Sequence, residues 1–392
     1  MMFGKLRFLT SGESHGRGLV AVLEGLPAGL RLDEEAVNRD LKRRQQGHGR
    51  GGRMKIEQDR AILMSGVRWG MTIGSPICLL IENRDWENWR EGMSPDISAA
   101  DSIAAVTRPR PGHADLPGTL KYGHRDIRNI LERSSARETA ARVAAGAAAR
   151  SFLAEFGITV GSYVTRIGQV SMPEAGLLED RTLLEAADGS AVRCPDPAVS
   201  GKMVELIDAA IEKGDSLGGI FRIFVCGAPV GLGSHIQWDK RLNARLMMAV
   251  GSIQAVKGVE IGAGFGAAGR FGSEVMDEIF YEEETGFFRQ SNNAGGIEGG
   301  ITNGMPIVIT AAMKPIPTLK KPLRSVDIGS LEAVEAGYER SDTCAVPAAS
   351  VVGEAMAALC VADAMLEKFG GDGMIETRRN LEAFLQYHDK TQ

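Results

Sequence analysis

The sequence predicts an α+β fold of two related halves sharing one core, with alanine-rich helices in the interior. Three observations predict it. Two helix starts look alike: Arg133-Ser134-Ser135-Ala136-Arg137-Glu138-Thr139 opens one alanine-rich stretch and Arg340-Ser341-Asp342-Thr343-Cys344 opens another. Two Gly/Pro markers recur in the same order. Gly25-Leu26-Pro27-Ala28-Gly29-Leu30 returns as Gly227-Ala228-Pro229-Val230-Gly231-Leu232, and Gly70-Met71-Thr72-Ile73-Gly74-Ser75-Pro76-Ile77 returns as Gly300-Ile301-Thr302-Asn303-Gly304-Met305-Pro306-Ile307. Finally, 392 residues that are 44% hydrophobic suffice for one large core. Ordered self-similarity marks internal duplication, and the uneven spacing marks insertions. Residues 174–196 are poor in large hydrophobes, which puts the weak boundary near Ser200. We therefore expect one domain over 1–392, with halves of about 1–200 and 201–392, and an anion site between the paired helix starts.

In chain order, residues 19–23 form a short apolar run that ends at a Gly/Pro turn. Asp33 then caps a helix with Glu34 and Glu35 in its first turn and basic residues 42–44 in its last. That helix runs into a glycine loop, Gln45-Gln46-Gly47-His48-Gly49-Arg50-Gly51-Gly52-Arg53-Met54-Lys55, followed by strand and turn over 56–67. Residues 77–81 read as a buried strand. Residues 83–111 are polar, Trp- and Pro-punctuated and aperiodic, the pattern of a long functional loop. Ser135 and Glu138 form a capping-box pattern. Nine alanines over 136–154 then make a thin helix that neighbours can approach closely, until Gly157 stops it. A strand pattern resumes over 218–225. The glycine-rich stretch 263–302 reads as mobile loops or a lid. Residues 345–362 read as a buried helix rather than a membrane span, because they carry Glu354 among many alanines.

Charge and cysteine usage narrow the function classes. A net charge of −5 excludes general nucleic-acid binding, which needs a basic surface, so any basic site must be local. Five dispersed cysteines with no C-x-x-C indicate neither a disulfide framework nor a zinc site and fit a reducing cytoplasm. Residues 1–10 are too short and too broken by Lys5 and Arg7 for a signal peptide's apolar core. The six histidines show no metal-ligand spacing, so no metal is expected. Neither a Rossmann nor a Walker fingerprint is present.

Three segments carry candidate chemistry. Gly12-Glu13-Ser14-His15-Gly16 puts a histidine in a glycine-flanked turn before a strand, without the strand-turn-helix context of a nucleophile elbow. Arg108-Pro109-Arg110-Pro111-Gly112-His113-Ala114-Asp115 is stiffened by two prolines, which suits rigid presentation of Arg110 and His113. Residues 42–55 concentrate Lys42, Arg43, Arg44, Arg50, Arg53 and Lys55: a solvated face, an RNA contact or an anion clamp. Absence of aromatics in that segment argues against RNA. Arginine is preferred where planar carboxylates or phosphates take paired hydrogen bonds.

Taken together, Gly12–Gly16, residues 133–139 and Arg340-Ser341-Asp342 with Glu354-Ala355 resemble the three signature segments of the chorismate synthases. The likeness spans the whole chain. It takes in residues 108–115, Gly258-Val259-Glu260-Ile261-Gly262, Gly299-Gly300-Ile301-Thr302-Asn303-Gly304 and Lys314-Pro315-Ile316-Pro317-Thr318.

The resemblance implies a β-α-β sandwich with interior helices, assembled as a homotetramer in the cytoplasm. It implies a carbon–oxygen lyase of the shikimate pathway that converts 5-enolpyruvylshikimate 3-phosphate to chorismate and phosphate. Reduced FMN is required although no net redox change occurs, with NADPH or an external flavin reductase as the reductant. It implies that His15 is the acid for the departing phosphate, that His113 acts at the flavin N1 edge, and that Asp342 with Ser135 assists proton movement at N5. FMN is expected against Arg133, Ser134, Ser135, Gln254, Ala255, Gly299, Lys314, Pro315, Ile316, Pro317, Thr318 and Arg340. Gln254 stands where the family commonly has asparagine. Arg44, Arg50, Arg53, Arg110 and Arg137 are expected to bind substrate or NADPH phosphates. A flavin-independent phosphate lyase or transferase, and an RNA-binding module, are the alternatives from other classes.

Overall fold

The computed structural model describes residues 4–51, 57–100, 102–173, 176–177, 181–284 and 286–391. In its first part, β1 (Arg7–Ser11), β2 (Gly18–Glu24), β3 (Ala61–Ser65) and β4 (Ile77–Glu82) form an antiparallel sheet in the order β1-β2-β4-β3. Helix α1 (Glu34–Gln45) follows β2, with the Asp33 carboxylate accepting from the Ala36 N–H at 2.8 Å. Helices α2 (Asp115–Tyr122), α3 (Arg128–Ser134) and α4 (Thr139–Ala154) complete this part.

The second part repeats the plan. Strands β5 (Thr159–Ile167) and β6 (Val170–Ser171), helices α5 (Arg181–Gly189) and α6 (Pro197–Lys213), strand β7 (Gly219–Cys226), helix α7 (Leu242–Gly251) and strand β8 (Val256–Ile261) come first. Small strands β9 (Phe280–Glu282), β10 (Gly286–Phe288), β11 (Ile297–Glu298) and β12 (Ile301–Thr302) precede β13 (Ile307–Met313), and helices α8 (Val346–Phe369) and α9 (Met374–Thr391) close the chain. The large sheet runs β6-β5-β7-β13-β8. Leaving out the short edge strand β6, both sheets place their first, second, fourth and third strands side by side, all antiparallel.

The repeated sequence markers make the same bonds in both copies. Thr72 Oγ1 donates to the Pro27 carbonyl at 2.6 Å and accepts the Leu30 N–H at 2.9 Å. Thr302 Oγ1 donates to the Pro229 carbonyl at 2.6 Å and accepts the Leu232 N–H at 2.8 Å. Gly25 and Gly227 leave β2 and β7 with φ of 106° and 79°. A Cβ at either would also strike backbone, 2.0 Å from the Lys5 carbonyl oxygen and 2.6 Å from that of Gly157, so glycine is required twice over.

Sheet membership moves the division expected near Ser200. Strand β5 already belongs to the second sheet, so the copies part between Ala154 and Thr159. The hydrophobe-poor stretch that suggested the later boundary carries helix α5 (Arg181–Gly189). This helix covers the outer face of the second sheet, with Ala187 packed among Tyr163, Phe224, Cys226 and Val308.

Alternate residues of β2 (Leu19, Ala21, Leu23) and of β4 (Ile77, Leu79, Ile81) point inward onto α4, and α8 packs between α4 and strands β5 and β7. The layers are sheet, helices, sheet. Helix α8 is long and apolar enough to cross a membrane, yet its apolar window is wholly buried here. Small residues permit the close α4–α8 approach: a Cβ on Gly146 would lie 2.3 Å from that of Ala355.

Two local expectations change. The Ser135–Glu138 capping box does not form: Ser135 caps a short 3-10 turn (Ala136–Glu138) by accepting the Arg137 N–H at 3.3 Å. The Glu138 carboxylate is drawn away by Thr10 Oγ1 at 2.7 Å, Arg142 Nε at 2.9 Å and Gln254 Nε2 at 3.0 Å. The glycine-rich stretch 263–302 carries the paired strands β9–β10 and β11–β12, a 3-10 segment, Gly264–Gly269, and a helical turn, Gly272–Val275, in place of plain loops.

Candidate active site

The starts of α4 and α8 open on one cavity of about 520 Å³, walled by both halves. The first half brings Ser14, His15, Arg44, Arg50, Trp89, Arg110, His113, Ser134, Ser135 and Arg137; the second brings Gln254, Ala255, Lys257, Lys314, Thr318, Arg340 and Asp342.

The arginines arrive from separate elements and share buried carboxylates. Arg44, in the last turn of α1, donates to Thr139 Oγ1 at 2.9 Å, to the Ala136 carbonyl at 3.1 Å and to Asp59 at 3.2 Å. Arg137 takes the other Asp59 oxygen at 2.6 Å and Asn83 Oδ1 at 2.9 Å. Burial, together with the charges of Arg137 and Arg50, outweighs Asp59 and brings Arg44 down to about 10. It stays cationic at neutral pH, at the cost of crowding that an incoming anion would relieve. Lys314 donates to the Gly112 carbonyl at 2.9 Å and is also lowered, by burial and by Lys257. Asp342 Oδ1 accepts the Gly51 N–H at 2.7 Å, and its Oδ2 lies 3.3 Å from Arg50 Nε, which ties the glycine loop to the approach to α8.

Both cavity histidines are held the same way. His113 Nδ1 lies 2.5 Å from Asp115 Oδ1, and Arg110 grips the same carboxylate through Nε at 2.8 Å and Nη2 at 3.0 Å. Burial works against the Asp115 charge, but the His113 and Arg110 hydrogen bonds win and hold its carboxyl well below the usual range. His15 Nδ1 lies 2.8 Å from Glu132 Oε1, which Arg128 Nη1 also reaches at 3.1 Å. Glu132 is likewise lowered: burial opposes its charge, and His15 with Arg128 outweigh burial. A buried carboxylate fixed by an arginine and bonded to one ring nitrogen sets both the orientation and the tautomer of an imidazole.

On the second-half wall, Gln254 gives its amide N–H to Glu138, while its buried Oε1 has no hydrogen-bond partner among the described residues. Ala255 beside it has φ of 67°, a left-handed conformation strained for a residue with a Cβ. Helix α8 begins at Ala345 without a side-chain cap, and Ala345, Ala348, Ala349 and Val352 form a small-residue floor.

Most of the expected site residues line the cavity, and among the described residues three do not. The Arg133 guanidinium turns away to the Thr10 and Gly12 carbonyls at 2.8 and 3.0 Å. Gly299 occupies the turn between β11 and β12, and Pro315 lies between lining residues without lining the wall itself. Arg53 lies outside the described residues. Arg340 is 61% exposed, with Nη2 3.8 Å from Asp85. Sequence reasoning missed Trp89, Glu132, Lys257 and Glu339. Glu132 adjoins the Arg133 motif, so its position was the available signal; Trp89 lies in the loop 83–111, whose pattern marks the loop as functional without singling out this residue.

Fold and site together define a class: a two-sheet sandwich enzyme whose paired helix starts open on a cation-rich pocket of small-molecule size. The chorismate synthase family profile matches residues 6–366. The chain is 60% identical over 389 residues to the chorismate synthase of Geobacter sulfurreducens, covering 97% of this chain and 99% of that one. It is 58% identical over 392 residues to that of Aquifex aeolicus, covering 97% and 98%. A solved structure described as the crystal structure of chorismate synthase superposes with a TM-score of 0.80 at 47% identity, covering 98% of each chain. The chain belongs to the chorismate synthase family.

Proposed function

We propose that this cavity binds 5-enolpyruvylshikimate 3-phosphate and eliminates its phosphate in a 1,4-anti sense to give chorismate, with reduced FMN as cofactor. The observation that carries the reading is the pairing of a local cation cluster (Arg44, Arg50, Arg110, Arg137, Lys257, Lys314, Arg340) with two carboxylate-held histidines in one pocket of a net acidic chain. Two carboxylates and a phosphate on the substrate, and another phosphate on FMN, call for that many cations.

The lining fits a flavin. The unpartnered Gln254 Oε1 and the left-handed Ala255 backbone offer polar contacts to a ring edge, and the uncapped start of α8 offers positive dipole to an anion. Ser134, Ser135, Gln254, Ala255, Lys314, Ile316, Pro317, Thr318 and Arg340 would hold it. When bound there, reduced FMN would supply a transient electron to ease phosphate loss and would recover it, so there would be no net redox change.

The chain's own groups do the rest. Arg44, Arg50, Arg110 and Arg137 orient the substrate anions. His15 gives a proton to the leaving phosphate. His113 holds a proton on the wall shared with Lys314 and Thr318, and Asp342 is the carboxylate that accepts one beside Arg50. NADPH or an external reductase brings the flavin to its reduced state before turnover, with Arg44 and Arg50 the contacts for a nicotinamide phosphate. The enzyme works in the cytoplasm as a homotetramer; the exposed apolar outer face of the first sheet, with Leu9 71% and Met64 60% exposed, supports assembly.

Anaerobic phosphate release from the substrate tests this in three arms: dithionite-reduced FMN, oxidised FMN, and no flavin. Release with reduced FMN only is expected, and equal release without flavin would overturn the reading. Arg44→Ala should raise KM at least ~10-fold, the loss of a charge-assisted contact worth roughly 1.5–3 kcal/mol.

A further inference from the structure

His15 stands on the turn between β1 and β2, and Glu132 of α3 binds it twice. Glu132 Oε2 accepts the His15 backbone N–H at 2.7 Å, and Oε1 lies 2.8 Å from the ring Nδ1. The Glu132 carbonyl also accepts the Ser14 N–H at 3.0 Å, so the whole turn is docked on this residue. Arg128, one helical turn earlier, holds Oε1 at 3.1 Å and extends to Glu339 of the cavity wall at 3.3 Å. Trp89 packs against both groups, with its ring centroid 4.4 Å from that of His15 and the Arg128 guanidinium carbon 4.7 Å from its ring.

Glu132 is 3% exposed and paired with Arg128, so it is an ionised carboxylate, which accepts hydrogen bonds only. Its neighbour Nδ1 must therefore carry a proton whether the imidazole is neutral or cationic. Neutral histidine in water prefers the opposite tautomer. The Arg110–Asp115–His113 arrangement in the same cavity is built on the same plan.

We propose that Glu132 is the positioning residue of His15, locking a proton on Nδ1 so that Nε2 is the nitrogen that exchanges a proton with the leaving phosphate. This rests on the reading of His15 as the phosphate's acid. The proton passes from Nε2 to a phosphate oxygen, leaving a neutral imidazole that keeps Nδ1–H on Glu132, and water restores the Nε2 proton between turnovers. Carboxylate-held imidazoles depend on this kind of support for both orientation and tautomer.

Glu132→Gln is the discriminating change. With its oxygen at the Oε1 position, the amide NH2 faces the His15 backbone N–H; flipped, it faces Arg128 and Nδ1. In the flipped form the amide donates to Nδ1 and drives the proton to Nε2. Solid-state 15N spectra of full-length protein labelled at histidine, with His15 assigned by difference from His15→Gln, read the tautomer directly. The parent is expected to show Nδ1–H in the neutral form and Glu132→Gln to show Nε2–H. With saturating reduced FMN, kcat of Glu132→Gln should fall at least ~10-fold while KM stays within about 3-fold, a split that lost substrate binding would not produce. An Nε2–H tautomer in the parent overturns the proposal even if the variant fails to fold. Parental kcat in a Glu132→Gln protein whose His15 has moved to Nε2–H, alongside an impaired His15→Gln, also overturns it. Parental kcat in His15→Gln instead overturns the acid role itself, while the tautomer spectra still decide what Glu132 does.

Discussion

Replacing Glu354 by glutamine should destabilise the protein by about 3 kcal/mol or more at neutral pH. Glu354 lies in the middle of α8, fully buried. Its carboxylate accepts from Arg43 at 2.7 and 3.0 Å, Arg150 at 2.9 Å, Arg193 at 3.0 Å and Ser162 at 2.6 Å. Burial pushes the group up, but Arg43, Arg150 and Arg193 overcome it and bring Glu354 from 4.5 down to about 2. At 1.36 kcal/mol per unit, that depression corresponds to roughly 3 kcal/mol, within the usual range of about 3–5 kcal/mol for breaking a buried ion cluster. The sign is that of a depressed acid: the contribution is fully present above pH 4.5 and is lost as pH falls from 4.5 towards 2. Urea unfolding followed by tryptophan fluorescence should show a midpoint lowered by on the order of 1 M or less in Glu354→Gln at pH 7, and a gap from the parent that narrows with acid. Asp40 lies 3.1 Å from Arg150, and Asp188 lies 2.9 Å from Arg43 and also pairs with Arg193; a variant as stable as the parent at pH 7 would show that these two carboxylates neutralise the three arginines unaided. A gap that widened on acidification would refute the assigned sign.

Two further outcomes test the packing and the duplication. Gly146→Val should cost about 3 kcal/mol or more, or yield no soluble protein, because the new Cβ lies 2.3 Å from that of Ala355 across the α4–α8 contact; thermal unfolding and soluble yield report it. Thr72→Val and Thr302→Val each strand a Pro carbonyl and a Leu N–H, for an expected loss of about 1–3 kcal/mol apiece. The two losses should agree within ~0.5 kcal/mol and add in the double variant, as denaturant midpoints would show.

What the sequence disclosed, and what it concealed, follows from the range of the interactions. The Gly/Pro markers were legible because each is a local turn that demands particular residues, and the structure gives both copies the same threonine bridge. The alanine-rich helices were legible as interior ones because only small side chains allow the approach seen at Gly146. The arginines were recognisable as an anion cluster from residue type alone. The division between halves was misplaced because the polar stretch 174–196 resembles a linker although its helix covers a sheet. The capping box was misread because Glu138 prefers partners on β1 and near β8, far away in sequence. Glu132 and Trp89 stayed hidden for the same reason: their significance lies in His15, more than 70 residues away along the chain.

The placing of α8 has a consequence for biogenesis. The face that α4 presents to α8 is complete once about 154 residues have been made, but its cover spans Val346–Phe369, near the end of the chain. Between the synthesis of these two helices the nascent chain carries an open alanine seam, and the cavity wall that α8 supplies closes only once Val346–Phe369 has emerged.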